Sequence, residues 1–161
     1  MSIPHKGFNG KRNHEEIKRS LARFLERRGY IVKEEFWVTG TLHQSLAHWM
    51  YGSPGMWRAG GEAPRVDLVG LFDAERFRFK MYALEKRSVA IEVSLTTLEQ
   101  DLRKLMKLDF GLKICVTEDL EGSINNVFIL SLTNLWSRLA DLLEIHEKRA
   151  IEEYEAVERR A

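Results

Sequence analysis

The chain has 161 residues, 44% of them hydrophobic and 10% aromatic, enough for one globular domain with a sizeable core. A lone cysteine, Cys115, rules out an internal disulfide, no charged-then-apolar leader opens the sequence, and no apolar run approaches the roughly 20 residues of a membrane helix, so a cytoplasmic, non-membrane protein is expected. The formal net charge of +1 hides a polarity: residues 1–33 carry nine Lys/Arg against three Glu, and residues 118–161 carry five Lys/Arg against ten Asp/Glu.

Residues 13–28 read as an amphipathic helix with Ile17, Leu21, Phe24 and Leu25 inward, Asn13 as cap with Glu16 three positions on, and Gly29 as terminator. His14 falls on the apolar side, at an end that would face a cleft; it is equally a packing residue. Glu15 and Glu16 suit the positive end of the helix dipole or an acidic site. Tyr30 to Val38 reads as a strand. From about 39 to 64 glycines, prolines and the cluster His43, His48, Trp49, Tyr51, Trp57 read as a long loop or insertion. Its aromatics, flanked by Arg58, either stack on unpaired bases or fold back onto the core. His43 and His48 stand five apart, off the spacing of a helical zinc pair.

Strand signals return at 65–72, 77–85 and 89–95, with breaks near Asp73 and at Glu85 to Ser88 that would make antiparallel hairpins. Thr96-Thr97-Leu98-Glu99 resembles a capping box opening a second helix with Leu98, Leu102, Leu105 and Met106 inward, closed by Gly111. Leu112 to Thr117 and Val127 to Leu132 have strand length. Thr133 or Asn134 can cap a last helix, about 134–160, whose part beyond Glu144 is polar enough to project; its Ala150, Tyr154, Val157 stripe would pair two copies as a homodimer, or the end is simply solvated. The order implies a single α/β (α+β) domain over 1–161, with a mixed central sheet and a core at about 13–132.

Two acidic residues interrupt apolar strands: Asp67 in Arg65-Val66-Asp67-Leu68-Val69-Gly70, and Glu92 in Val89-Ala90-Ile91-Glu92-Val93-Ser94-Leu95. A carboxylate in such a run loses hydration unless a cation or several donors compensate, so two on neighbouring strands point to a divalent-metal site. The alternative has Asp67 cap a turn or pair with Arg65 or a neighbouring arginine, and points Glu92 to solvent from an edge strand.

With the first helix ending at Gly29-Tyr30-Ile31-Val32, these runs, then Asp101-Leu102-Arg103-Lys104-Leu105 and a hydrophobic strand, make a pattern that resembles the PD-(D/E)xK, restriction-endonuclease-like nuclease superfamily over roughly residues 13–132. The resemblance implies a restriction-endonuclease-like sheet and a DNA endonuclease or junction-resolving phosphodiesterase. It implies Asp67, Glu92 and the carbonyl of Val93 as ligands for Mg2+ or Mn2+, with no other cofactor. Ser94 stands where the family has lysine and supplies no positive charge. Lys104 is similar to the relocated lysine of some relatives, yet it lies about 160° around the wheel from Leu102 at roughly 100° per residue; Lys80, Lys86 and Arg103 are less motivated. Lys11, Arg12, His14 and Lys18 are the expected nucleic-acid contacts, with DNA as partner. The alternative function is a catalytically lapsed nuclease scaffold that binds nucleic acid or protein.

Overall fold

A computed structural model describes residues 10–52, 63–73, 79 and 82–160, with the side chains of residues 10–12 outside that description. Helix α1 (Gly10–Arg27) runs into strand β1 (Tyr30–Trp37), followed by α2 (Leu42–Tyr51), β2 (Arg65–Phe72), the single turn α3 (Leu84–Arg87), β3 (Ser88–Val93), α4 (Leu98–Met106), β4 (Leu112–Thr117), β5 (Gly122–Ile124), β6 (Val127–Ser131) and, after a 3-10 turn (Leu132–Asn134), α5 (Leu135–Arg160). The strands form one six-stranded sheet in the order β1-β2-β3-β4-β6-β5. The β1–β2, β2–β3 and β5–β6 pairs are antiparallel; β3–β4 and β4–β6 are parallel. The parallel step needs a crossover, and α4 makes it.

Helices cover both faces. Ile17, Leu21 and Leu25 of α1 and Leu135, Leu139 and Leu143 of α5 pack on Leu68, Ile91, Val93 and Ile114. Leu42 and Leu46 of α2 and Leu102 and Leu105 of α4 pack on the other face, against Val69, Ala90 and Cys115. The alternating sides of β3 thus serve two cores, which makes β3 apolar on both faces apart from Ser88 and Glu92. No helix among the described residues is long and apolar enough to cross a membrane.

Several expected boundaries are corrected. α1 starts at Gly10, so Asn13 sits in the first turns and is no cap for Glu16. The stretch expected as a loop over 39–64 contains α2: Thr41 caps it with a complete capping box to Gln44, and Gly52, at φ 63, ends it. Trp49 meets Phe36 edge-on at 5.6 Å, so that ring belongs to the core; Trp57 and Arg58 lie outside the described residues. The strand expected at 77–85 is replaced, where described, by Phe79, a turn at Tyr82–Ala83 and α3, and β2 pairs directly with β3. β5 was not anticipated; Asn125 and Asn126, both at positive φ, close the β5–β6 hairpin as a two-residue turn of type I′ requires.

α5 stays on the domain well beyond Glu144. His146 and Ala150 are buried, and Tyr154 contacts Phe79 at 5.0 Å and Tyr82 at 5.5 Å between ring centroids. Most of the stripe expected to pair two copies is therefore occupied within the chain, and only Val157 of that stripe is exposed. Glu147 accepts hydrogen bonds from Arg28 at 2.7 and 2.9 Å and from the Tyr30 hydroxyl at 2.9 Å, tying the end of α1 to α5.

Candidate functional site

The Leu68–Ile91 pair ends the β2–β3 ladder, and one step beyond it Asp67 and Glu92 stand side by side. There the carboxylates replace the ladder: Asp67 Oδ2 accepts the Val93 N–H at 2.9 Å, and Glu92 Oε1 accepts the Asp67 N–H at 3.1 Å. Both strands are internal to the sheet, and the residues are 7% and 2% exposed, so Glu92 does not point to solvent from an edge.

A reversal of the pleat accompanies the pair. Leu68 packs in the α1/α5 core and Val66 in the α2/α4 core, although an unbroken strand would put both on one face. On β1, Val32 and Phe36 divide in the same way, with Glu35 between them at φ 54. The β1–β2 register pairs Glu34 with Leu68 and Phe36 with Val66, and passes over Glu35 and Asp67 between them. A left-handed backbone at a non-glycine residue costs on the order of 1–3 kcal/mol and concentrates at functional sites.

Other elements supply cations. His14, on α1, reaches Asp67 Oδ2 with Nε2 at 3.1 Å. Lys104, on α4, places Nζ 2.9 Å from Glu92 Oε1, 3.8 Å from Asp101 Oδ1, and donates to the Arg65 carbonyl at 2.7 Å. The wheel centred on Leu102 misplaced Lys104 because Asp101 is itself buried on the inner face of α4, and a wheel of apolar residues does not register it. Lys104 follows Asp101 by three positions, about 60° around the helix.

Ser94, where lysine was expected by resemblance, is 2% exposed and donates to Asp101 Oδ2 at 2.7 Å. Thr97 donates to the same oxygen at 2.7 Å and makes no cap bond, so the capping box expected at 96–99 does not form. Asp101 and Glu35 were not anticipated as neighbours of the site; Arg65, the alternative partner expected for Asp67, pairs with Glu35 at 3.1 Å. The spacing Thr97 to Asp101, one helical turn, was the available signal for the first of them.

Charge divides unequally across the pair. Burial, and next the Asp67 charge, push the Glu92 carboxyl up to about 8, with Lys104 pulling the other way. Burial also raises Asp67, but hydrogen bonds from His14 and the Val93 amide outweigh it and hold Asp67 below the usual carboxylate range. The Asp67 hydrogen bond raises His14 in turn, against its own burial. The two carboxyls are thus pushed in opposite directions, Asp67 toward its anion and Glu92 toward its protonated form.

The pair opens onto a cleft of about 420 Å³ whose rim includes His14, Glu15, Glu35, Arg65 and Lys104. Lys18 is 2% exposed and bridges the rim residues Glu15 at 3.2 Å and Glu35 at 2.9 Å, a buried cation in place of the expected solvent-facing contact. The side chains of Lys11 and Arg12, and Lys80 entirely, lie outside the described residues. Lys86 pairs with Glu153 at 3.9 Å and Arg103 with Glu99 at 2.6 Å. His43 contacts Glu85 at 2.6 Å. Among the described residues no group of three or more His, Cys, Asp or Glu side chains is arranged as a metal cage.

Comparison with protein families, with curated proteins and with solved structures gives no match for this chain.

Proposed function

We propose that this chain is a divalent-metal-dependent DNA endonuclease or junction-resolving phosphodiesterase of restriction-endonuclease-like fold. The observation that carries the reading is the buried Asp67–Glu92 pair at the end of the β2–β3 ladder, with Lys104 Nζ 2.9 Å from Glu92. The donor set fits magnesium or manganese. Burial, and then the neighbouring Asp67 charge, disfavour the Glu92 anion, a cost that a small divalent cation taking the place of the proton would relieve, and magnesium binds through one or two carboxylates plus water and phosphate oxygens in preference to an all-protein cage. Asp67, Glu92 and the Val93 carbonyl would hold the ion, which supplies Lewis-acid activation of a water and of the phosphoryl oxygen.

The remaining roles belong to the chain. His14 keeps Asp67 ionised and oriented through its 3.1 Å contact. Lys104 brings to the Glu92 side the cation that Ser94 lacks, suited to orienting the attacking water and countering charge on the scissile phosphate. Asp101, fixed by the Ser94 and Thr97 hydroxyls, holds the side of α4 from which Lys104 reaches in.

A second reading is a lapsed nuclease scaffold that binds nucleic acid. What favours it is that Asp67 Oδ2 and Glu92 Oε1 are already engaged by amides, His14 and Lys104. Incubation of the protein with duplex, branched and single-stranded DNA in magnesium or manganese separates the two. Cleavage that is abolished by Asp67→Asn and slowed on the order of a hundredfold by Lys104→Ala, with DNA binding kept, supports the enzyme. Binding without cleavage under either metal supports the scaffold.

A further inference from the structure

Arg19, Arg23 and Arg27 of α1 are exposed and four residues apart, so they form one stripe with successive members about 6 Å along the axis. Among the described residues none of the three has a hydrogen-bond or ion-pair partner, whereas Lys18 of the same helix and Arg28 just beyond its end are held by glutamates. Beside the stripe stands Trp136 at the start of α5. Its ring is 38% exposed and leans on Phe24, with centroids 5.1 Å apart and planes at 37°. Ser20, Arg23, Phe24, Arg27 and Trp136 line one open hollow of about 330 Å³. Arg23 follows His14 by nine positions, about 180° around α1, so this hollow lies on the far side of the helix from the carboxylate cleft.

We propose that the hollow binds an unpaired segment of nucleic acid, one base stacking on Trp136 and the flanking phosphates lying on Arg23 and Arg27. Free guanidinium groups beside an exposed indole are the combination that holds single strands: the charges follow the backbone, and the ring takes a base of any identity. An acidic peptide would use the arginines and leave the indole idle. The ladder step of about 6 Å is of the order of one nucleotide of an extended strand. This surface stands apart from the proposed metal centre and does not depend on it.

The test is fluorescence anisotropy of the full-length chain with labelled oligothymidylate of about ten nucleotides, in EDTA so that no cleavage intervenes. Paired duplex and oligouridylate serve as the other probes. Wild type should bind the single strands and bind them more tightly than the duplex. Arg23→Ala with Arg27→Ala should flatten the log-affinity against log-salt slope by about 0.7 per lost contact. Trp136→Ala should weaken binding about tenfold with the slope unchanged, and Trp136→Phe should recover most of it. Tighter binding of oligouridylate keeps the site and identifies the strand as RNA. Absence of binding, affinity indifferent to Trp136→Ala in a protein of unchanged melting temperature, or equal affinity for duplex overturns the proposal. Because the readout needs no metal, failure of the nuclease reading leaves this result intact.

Discussion

A proton shared out between two buried carboxylates has a thermodynamic consequence that can be measured without knowing any substrate. The Glu92 carboxyl is raised from about 4.5 to about 8, chiefly by burial and then by Asp67, so between those values the folded state binds more protons than the unfolded chain. Stability contributed by this group is therefore full below about pH 4.5, declines as pH rises, and is lost once pH passes about 8. Urea unfolding of the metal-free protein should show that decline, on the order of a few kcal/mol in total. Glu92→Gln, which stays neutral, should lack this part of the decline and be more stable than wild type at pH 8.5. A wild-type profile parallel to that of Glu92→Gln would mean that the two carboxylates do not compete for a proton. Asp67 behaves oppositely because His14 and the Val93 amide favour its anion. The same two acidic residues thus carry distinct roles, fixed by burial at Glu92 and by hydrogen bonds at Asp67.

Elements meet the site at their ends: α1 through His14, the end of the β2–β3 ladder through Asp67 and Glu92, and α4 through Lys104. That convergence depends on tight backbone packing behind it. A β-carbon on Gly111 would lie 2.2 Å from the Lys86 carbonyl oxygen, and the Gly111 N–H donates to the Glu85 carbonyl at 2.9 Å, so the segment entering β4 presses directly on α3. Gly111→Ala should destabilise the fold by about 1–3 kcal/mol, read as a lower urea midpoint, because a backbone has to move and no flexible side chain can yield instead. An unchanged midpoint would show that this approach is not tight in solution.

The elements with strong periodicity were legible in the sequence. Ile17, Leu21 and Leu25 mark α1, and the apolar runs mark β2, β3, β4 and β6. α2 was hidden because His43, Gln44, Ser45 and His48 dilute its apolar face, although Thr41 and Gln44 spelled its cap. Asp67 and Glu92 were visible as acidic breaks in apolar runs. The left-handed turn at Glu35 left no trace in residue type, and the burial of Asp101 that brings Lys104 inward is a tertiary fact.

Across the whole molecule, the basic head and acidic tail do different work from what net charge alone implied. Lys18 and Arg28 are held by Glu35 and Glu147, binding α1 to β1 and to α5, while Arg19, Arg23 and Arg27 remain turned to solvent. The domain thereby presents a carboxylate cleft on one side of α1 and an arginine face on the other. Whether the carboxylate cleft holds a metal ion is read from a crystal soaked in manganese. An anomalous peak should stand about 2.1 Å from a carboxylate oxygen of both Asp67 and Glu92, with the Glu92–Lys104 contact lengthened to admit it. A soaked crystal in which no peak appears there, and in which Asp67 still accepts from Val93 and Glu92 from Lys104, would contradict the metal site.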